Sequence, residues 1–231
     1  MSAVALILGA GANVGQHAGR AFAAKGYKVI LASRSAKGDT DDSNTVRIQT
    51  DLSDPDSVAK AFTTVRSQFG HPSVVVYNAA SVTPNDPKNP FSIPSSAFIR
   101  SLAINTTSVF VAAQEAVVGF KELPASASKT FIYTGNCLNE APIPTLLDLG
   151  LGKTATAHMI QLAADAFKDQ GIKFYYADQR TEEGGPIYTG LGGPEHAKLY
   201  VELAEEPAQG PWQQTFTKEA GYKQFPPRTF Q

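Results

Sequence analysis

Residues 4–19 constrain this chain more than any other stretch. The apolar run Val4-Ala5-Leu6-Ile7-Leu8 gives way to Gly9-Ala10-Gly11-Ala12-Asn13-Val14-Gly15, and then to a segment in which Val14, Ala18, Ala21 and Phe22 recur at helical spacing. A strand that breaks into a glycine turn and restarts as a helix brings backbone N–H groups close to an anion. The positive end of the helix dipole aims at the same point. The expectation is a dinucleotide site at this first junction. A glycine turn also serves a merely tight junction, so the rest of the chain must supply alternating strands and helices and a second set of contacts.

The alternation continues. Gly26 stops the first helix before Tyr27-Lys28-Val29-Ile30-Leu31-Ala32-Ser33, and a polar stretch over 35–44 precedes a β-rich segment, Val46-Arg47-Ile48-Gln49-Thr50. Asp54 and Pro55 form a helix start, the apolar face is Val58, Phe62, Val65 and Phe69, and Gly70 is the stop. Val74-Val75-Val76-Tyr77 is apolar throughout, as suits a strand covered by helices on both faces of a parallel sheet. A proline-bearing loop over 81–94 leads to a long helix from Ser95 or Ser96 to about Val118, then to the strand Thr130-Phe131-Ile132-Tyr133. A helix over 147–170 ends at Gly171 and is followed by Ile172-Lys173-Phe174-Tyr175-Tyr176-Ala177. Beyond it a glycine-rich loop over 183–194, a helix over 194–204 and an edge strand over 213–217 complete the pattern. The fold class is α/β: residues 1–231 form a single doubly wound, Rossmann-type domain with a mostly parallel seven-stranded sheet, and ligands are expected at the carboxyl ends of the strands.

Bulk properties narrow the function. A formal net charge of −1 gives no general attraction to nucleic acid or to an anionic membrane surface. No apolar stretch approaches the roughly 20 residues that span a bilayer, and the apolar start reads as a buried strand. A single cysteine, Cys137, excludes an internal disulfide and suits a reducing compartment, so a cytoplasmic location is expected. Four scattered histidines and that one cysteine offer no metal-ligand cluster.

At these motifs the chain resembles the short-chain dehydrogenase/reductase family over roughly residues 3–178. The family's Thr-Gly-x-x-x-Gly-x-Gly falls on residues 8–15, with Leu8 in place of threonine and Asn13 in place of the middle glycine. Its adenine-holding Asp–apolar pair matches Asp51-Leu52, its Asn-Asn-Ala-Gly segment matches Tyr77-Asn78-Ala79-Ala80, and its active-site asparagine matches Asn105. The resemblance implies cofactor contacts at Gly9, Asn13, Val14, Gly15, Ser33, Arg34, Asp51, Leu52, Asn78, Ala79, Ala80 and Lys153. It also implies pairing into a homodimer or homotetramer through the two long helices. An NAD site carries an acidic residue at the end of the second strand, whereas an NADP site carries a basic one. Here Ser33-Arg34-Ser35 stands there and no carboxylate follows until Asp39, so the expected cofactor is NADP(H).

The catalytic set departs from the family. Members use a Tyr-x-x-x-Lys pair on one helix face, the lysine fixing the nicotinamide ribose and lowering the tyrosine pKa. Lys153 is present, but Leu149 occupies the tyrosine's place and Asn136 that of the serine. The family's Pro-Gly pair after the sixth strand is absent as well; residues 177–183 read Ala-Asp-Gln-Arg-Thr-Glu-Glu. Loss of a general acid removes about 10²–10⁴-fold of rate unless another group replaces it. Tyr133, Asp148, Tyr175, Tyr176, Asp178 and Tyr188 are the nearest alternatives in sequence, while His158 lies on another helix face and Cys137 reads as packing.

Three readings remain. The first is an atypical NADP(H)-dependent oxidoreductase with Lys153, Asn105 and Asn136 about the nicotinamide, acting on a small carbonyl, imine or activated alkene. The second is a redox-inactive NADP(H)-binding sensor or scaffold. The third is a non-redox lyase or cyclase on the same fold.

Overall fold

The structure is a computed structural model that describes residues 2–35 and 43–226. Most of the polar stretch over 35–44, Asp39 included, falls outside the described residues. The elements follow in the order β1 (Val4–Leu8), α1 (Val14–Ala24), β2 (Lys28–Ser33), β3 (Thr45–Gln49), α2 (Pro55–Phe69), β4 (Val74–Tyr77), α3 (Ser95–Leu102), α4 (Ser108–Glu122), β5 (Thr130–Thr134), α5 (Leu147–Phe167), β6 (Lys173–Gln179), α6 (Gly193–Glu205), β7 (Gln213–Thr217) and β8 (Gly221–Tyr222).

The strands form one sheet in the order β3-β2-β1-β4-β5-β6-β7-β8, and every pair is parallel except β7–β8. The seven-stranded expectation is thus one strand short. β7 is not the edge, because the turn at 218–220 sends the chain back as a two-residue antiparallel strip, Phe216 opposite Tyr222. So short a strip leaves no periodicity in sequence.

Strand alternation sends side chains to two cores. Leu6, Leu8, Val75, Tyr77, Phe131, Tyr133, Phe174 and Tyr176 meet Val58, Phe62 and Val65 of α2, Val109, Ala112 and Phe120 of α4 and Ala157 and Ile160 of α5. Ala5, Ile7, Val74, Val76, Ile132, Tyr175 and Ala177 meet Val14, Ala18 and Phe22 of α1 and Leu199, Tyr200 and Leu203 of α6. Residues i and i+2 of one strand share a face, so Tyr133 and Tyr176 lie under α5 while Tyr175 lies on the opposite side.

Local signals set the helix ends. Asp54 accepts a hydrogen bond from the Asp56 N–H, with Pro55 in the first helical turn. The far end of α6 is capped from the sheet: buried Lys173 donates to the carbonyls of Leu203, Ala204 and Glu206, a cation at the negative end of a helix dipole. At the start of α6, buried His196 bonds Gly192 O through Nδ1 at 2.7 Å. Its Nε2 has no partner, and the ring stands edge-on to Tyr200 and Phe216. Burial therefore holds its pKa down to about 4.

The long helix differs from its sequence reading. It runs from Ser95 to Glu122 but is interrupted by a π-helical turn at Ala103–Thr107. By length and composition the run Ser95–Glu122 is apolar enough to cross a bilayer, contrary to the sequence reading, in which its serines, threonines, asparagine and arginine hid that length. Here its inner side packs on the sheet through Val109, Ala112, Ala116 and Phe120.

Candidate active site

A cleft of about 420 Å³ opens at the carboxyl ends of β1, β2 and β4. Its floor is the glycine turn. Gly9 has φ 92°, and a Cβ there meets Ala79 N at 2.5 Å; a Cβ on Gly15 meets Gly9 O and Ala10 Cα at 2.7 Å. Packing fixes both glycines, and at Gly9 the positive φ adds to it. Gly11 is different, because a Cβ there meets nothing within 4 Å, yet the residue lines the cleft. The floor is therefore open where a diphosphate would lie, and no acidic residue in the first turn of α1 neutralises its dipole.

The sequence-predicted turn residues divide accordingly. Gly9 lines the cleft together with Ala10 and Gly11. Val14 and Gly15 are buried behind the turn, and Asn13 donates from Nδ2 to Leu191 O at 2.8 Å. Asn78 holds the turn from the other side, donating to Gly9 O at 2.9 Å and accepting from Thr134 Oγ1 at 2.9 Å. Ala79 and Ala80 follow it along the cleft wall.

Ser33, Arg34, Asp51 and Leu52 all line the same cleft. Ser33 Oγ is turned to Ser35 O at 2.6 Å. Asp51 accepts from Ser53 N at 2.9 Å and Ser53 Oγ at 2.8 Å. Those bonds lower its pKa, and the charges of Arg100 and Arg34 add to the effect. Thr50 Oγ1 is buried with no hydrogen-bond partner, although Thr50 borders the cleft. An orphaned hydroxyl, an open glycine and two arginines are together what a phosphorylated nucleotide requires. The sequence reading missed Ala10, Gly11, Thr50, Ser53, Ser81, Arg100 and Ile104 as lining residues; of these only Ala10 and Gly11 carried a signal, as part of the turn.

At the other end the predicted catalytic residues are drawn inward. Asn105 is fully buried in the π-helical turn. Its Nδ2 donates to Ser81 O at 2.7 Å and Ser101 Oγ at 3.0 Å, and its Oδ1 accepts from Ser81 N at 3.0 Å. Its carbonyl accepts from Thr156 Oγ1 at 2.6 Å, and a Cβ on Gly152 meets Asn105 Cβ at 2.4 Å, so α5 crosses it closely. Asn105 thus joins three segments and leaves no free amide.

Lys153 is 3% exposed; Nζ donates to Thr134 O at 2.6 Å and lies 4.4 Å from the centre of the Tyr133 ring. Burial pushes its pKa down, and the Asp178 charge opposes that shift.

Asn136 begins a 3-10 turn, accepting the Leu138 N–H on Oδ1 at 3.1 Å. The Tyr176 hydroxyl fixes its backbone, donating to Asn136 O at 2.8 Å and accepting from Asn136 N at 3.2 Å. A Cβ on Gly135 meets Tyr176 Cε1 at 2.1 Å, so only glycine lets the ring rise to that position. Asn136 also borders a small pocket of about 80 Å³ walled by Leu138, Ile143, Leu146, Pro186, Ile187, Tyr188 and Leu191, with Gln179 as the other amide. No charged side chain lines it.

Leu149 provides no proton, and the buried candidates are otherwise engaged. Tyr133 and Tyr176 are buried, and desolvation raises both phenols further. Tyr175 is on the opposite face and bonds Ala208 O. Asp148 is buried against the Thr83 N–H at 2.8 Å. Asp178 pairs with Arg180 at 2.5 Å. His158 is exposed and Cys137 is buried. Tyr188, 74% exposed, stands at the rim of the small pocket. Among the described residues no group of three metal-ligating side chains occurs.

Comparisons with known proteins identify relatives of the chain and of its fold. Residues 3–177 match the family described as short chain dehydrogenase. The chain is 47% identical to the short chain dehydrogenase/reductase dmxR12 of Cryptosporiopsis sp. (strain 8999), with 99% of this chain and 97% of that protein aligned. It is 31% identical to versicolorin reductase stcU of Emericella nidulans across 52% of this chain and 47% of that protein. Among solved structures, a short-chain dehydrogenase/reductase from Serratia marcescens superimposes with a TM-score of 0.74 at 19% identity, covering 93% of this chain and 95% of that one. A 3-ketoacyl-(acyl-carrier-protein) reductase from Brucella melitensis, complexed with NADH, gives a TM-score of 0.77 at 17% identity over 94% and 97%.

Proposed function

The chain belongs to the short-chain dehydrogenase/reductase family, and on that footing we propose that it is an NADP(H)-dependent oxidoreductase acting on a small neutral carbonyl, imine or activated alkene without a tyrosine acid at position 149. Arg34 carries the cofactor preference. It borders the cleft at the end of β2, whereas Asp51, the acidic residue among the described residues that line the cleft, follows β3 and has its Oδ1 bonded by Ser53. A guanidinium there pairs with a 2′-phosphate, whereas the acidic residue that an NAD site carries at the end of the second strand is replaced here by Arg34.

NADP(H), when bound, supplies or accepts the hydride. Gly11 would leave room for the diphosphate, the Thr50 hydroxyl would be available to it as a polar partner, and Arg34 with Arg100 would hold the phosphate. Asn136 orients the substrate from the small pocket: its Oδ1 is held by Leu138, and its Nδ2 donates to no described residue. The uncharged lining favours substrates without carboxylate or phosphate. With Leu149 unable to protonate, solvent at the Tyr188 rim provides the proton, which suits substrates whose reduction depends mainly on hydride delivery.

The same residues support a second reading, a cofactor-binding protein without turnover, because Leu149 lacks a proton and Lys153 and Asn105 are turned inward. Self-association supports either. Phe110 and Val118 on α4 and Leu151 and Leu162 on α5 are 46–59% exposed, an apolar surface suited to a homodimer or homotetramer.

Calorimetric titration tests the cofactor assignment. Wild type binds NADPH more tightly than NADH, and Arg34→Ser weakens NADPH by about 10–100-fold, the ~1.5–3 kcal/mol of a charge-assisted hydrogen bond, while leaving NADH nearly unchanged. Tighter NADH binding by wild type refutes it. Steady NADPH oxidation with neutral ketones, imines or enones separates the first reading from the second.

A further inference from the structure

We propose that Arg180 is a positioning residue for the substrate, its buried guanidinium clamping together the two chain segments that wall the small pocket. The proposal rests on the reading of that pocket as the substrate site and assigns a function to a residue which that reading leaves unused.

The two walls come from distant parts of the chain. One is the segment after β5, where Asn136 and Leu138 border the pocket and Glu140 follows two residues later. The other is the loop after β6, which supplies Pro186, Ile187, Tyr188 and Leu191. Asn13 holds the far end of that loop through Leu191 O. The near end starts at Arg180, which forms an antiparallel bridge to Pro186. The Pro-Gly pair of the family is missing at this place, so the loop needs an anchor of its own.

Arg180 is that anchor. It is 2% exposed. Nε and Nη2 donate to Asp178 Oδ2 at 2.5 Å, which fixes the guanidinium plane against β6. From that base Nη2 also donates to Glu140 Oε2 at 3.0 Å on one wall, and Nη1 donates to Gly184 O at 3.2 Å on the other. Glu140 is tied in turn to β7, accepting from Gln213 Nε2 at 2.6 Å.

A planar fork with donors along its edges reaches all three partners at once, whereas an ammonium is a single point. Burying a guanidinium between two carboxylates is costly, and apolar residues of similar volume often stabilise a core as well or better. Geometry accounts for the arrangement instead. The fork sets the separation of the two walls, and with it the width of the pocket that Asn136 and Tyr188 border. The cofactor cleft is independent of it, because none of Glu140, Asp178, Arg180 and Gly184 lines that cleft.

In the full-length protein, Arg180→Lys keeps a cation beside Asp178 but loses the fork. Amide exchange followed by NMR should quicken about tenfold at Leu138 and Ala141 on one wall and at Gly184 and Gly185 on the other. Each of these N–H groups bonds within its own segment, so the substitution removes none of their partners. Gly9 and Ala10, bonded to Ala32 O, should exchange as in wild type. If the lysine protein does not fold, or loosens Gly9 and Ala10 equally, Glu140→Ala decides: it should quicken Leu138 and Ala141, and Glu140→Gln, whose amide oxygen still accepts from Arg180, should restore most of the protection. NADPH oxidation with cyclohexanone, cyclohexenone and acetophenone reads the consequence for substrate. In the variant the KM for the organic probe should rise about tenfold, with kcat within about threefold and the KM for NADPH unchanged. Exchange unchanged on either wall in Arg180→Lys, or at Leu138 and Ala141 where Glu140→Ala decides, overturns the proposal. So does an unchanged probe KM in a protein whose walls have loosened. Loosened walls in a protein whose wild type oxidises NADPH with none of the probes support the clamp and overturn the oxidoreductase reading instead.

Discussion

Gly135→Ala should destabilise this protein by driving a methyl group into the Tyr176 ring. The new Cβ falls 2.1 Å from Tyr176 Cε1 and 2.5 Å from Cδ1 and Cζ, against the side of a ring rather than the tip of a flexible chain. That ring is hemmed in by Tyr133 at 5.6 Å and Trp212 at 6.3 Å between centroids. It has nowhere to move without leaving Asn136. Overpacking costs about 1–3 kcal/mol, and the two hydrogen bonds between the Tyr176 hydroxyl and the Asn136 backbone contribute about 0.5–1.5 kcal/mol each. The expected loss is about 2–6 kcal/mol, which at about 2–4 °C per kcal/mol for a chain of this size lowers Tm by about 4–24 °C. Differential scanning calorimetry measures it. A double-mutant cycle locates the cause: in a Tyr176→Ala background the methyl group has space, so Gly135→Ala there should cost less than about 1 kcal/mol. If it costs the same in both backgrounds, or if the single variant melts within about 2 °C of wild type, Tyr176 does not dictate the glycine.

Gly11→Ala should leave stability within about 0.5 kcal/mol of wild type, because its Cβ meets nothing in the protein, yet weaken NADPH binding at least about tenfold; unchanged affinity by fluorescence titration would move the diphosphate elsewhere. His196 should make the fold acid-sensitive. Its folded pKa of about 4 lies below the ordinary value of 6.5, so the unfolded chain takes up the proton first. The stabilising contribution is complete above pH 6.5 and is lost as pH falls toward 4. Between pH 7 and pH 5 wild type should lose about 2 kcal/mol more than His196→Phe, and parallel urea-denaturation profiles would contradict this. Phe110→Glu should shift the mass seen by light scattering from dimer or tetramer toward monomer, and a monomeric wild type would remove the basis for that expectation.

What could be read from the sequence was local. The first strand, its glycine turn, the Asp54–Pro55 helix start and the stop at Gly171 are each set by a few adjacent residues, and each is found where expected. The cofactor end was legible for the same reason: Gly9, Arg34, Asp51 and Asn78 sit on short motifs at strand ends, and the topology brings those ends together. The catalytic end was not. Whether Asn105 faces a ligand or Ser81 depends on a contact 24 positions away, and the partnership of Arg180 with Glu140 spans 40. Nothing in the composition near Asp178 marks it as buried, since Asp-Gln-Arg-Thr-Glu-Glu has the character of a surface loop. The eighth strand escaped notice because two residues have no period.

The bond from Asn13 to Leu191 limits what can be borrowed from relatives. Asn13 stands where the family has glycine, and its amide ties the first turn to a loop 178 positions later. Gly193 faces it so closely that a Cβ would lie 2.3 Å from Asn13 Oδ1. The two positions therefore form a matched pair, a polar side chain on one loop and the absence of one on the other. Restoring the consensus glycine at 13 would untie the loop that walls the small pocket, and placing any larger residue at 193 would drive the amide out. Here the family average is the wrong template, and any redesign must change both loops together.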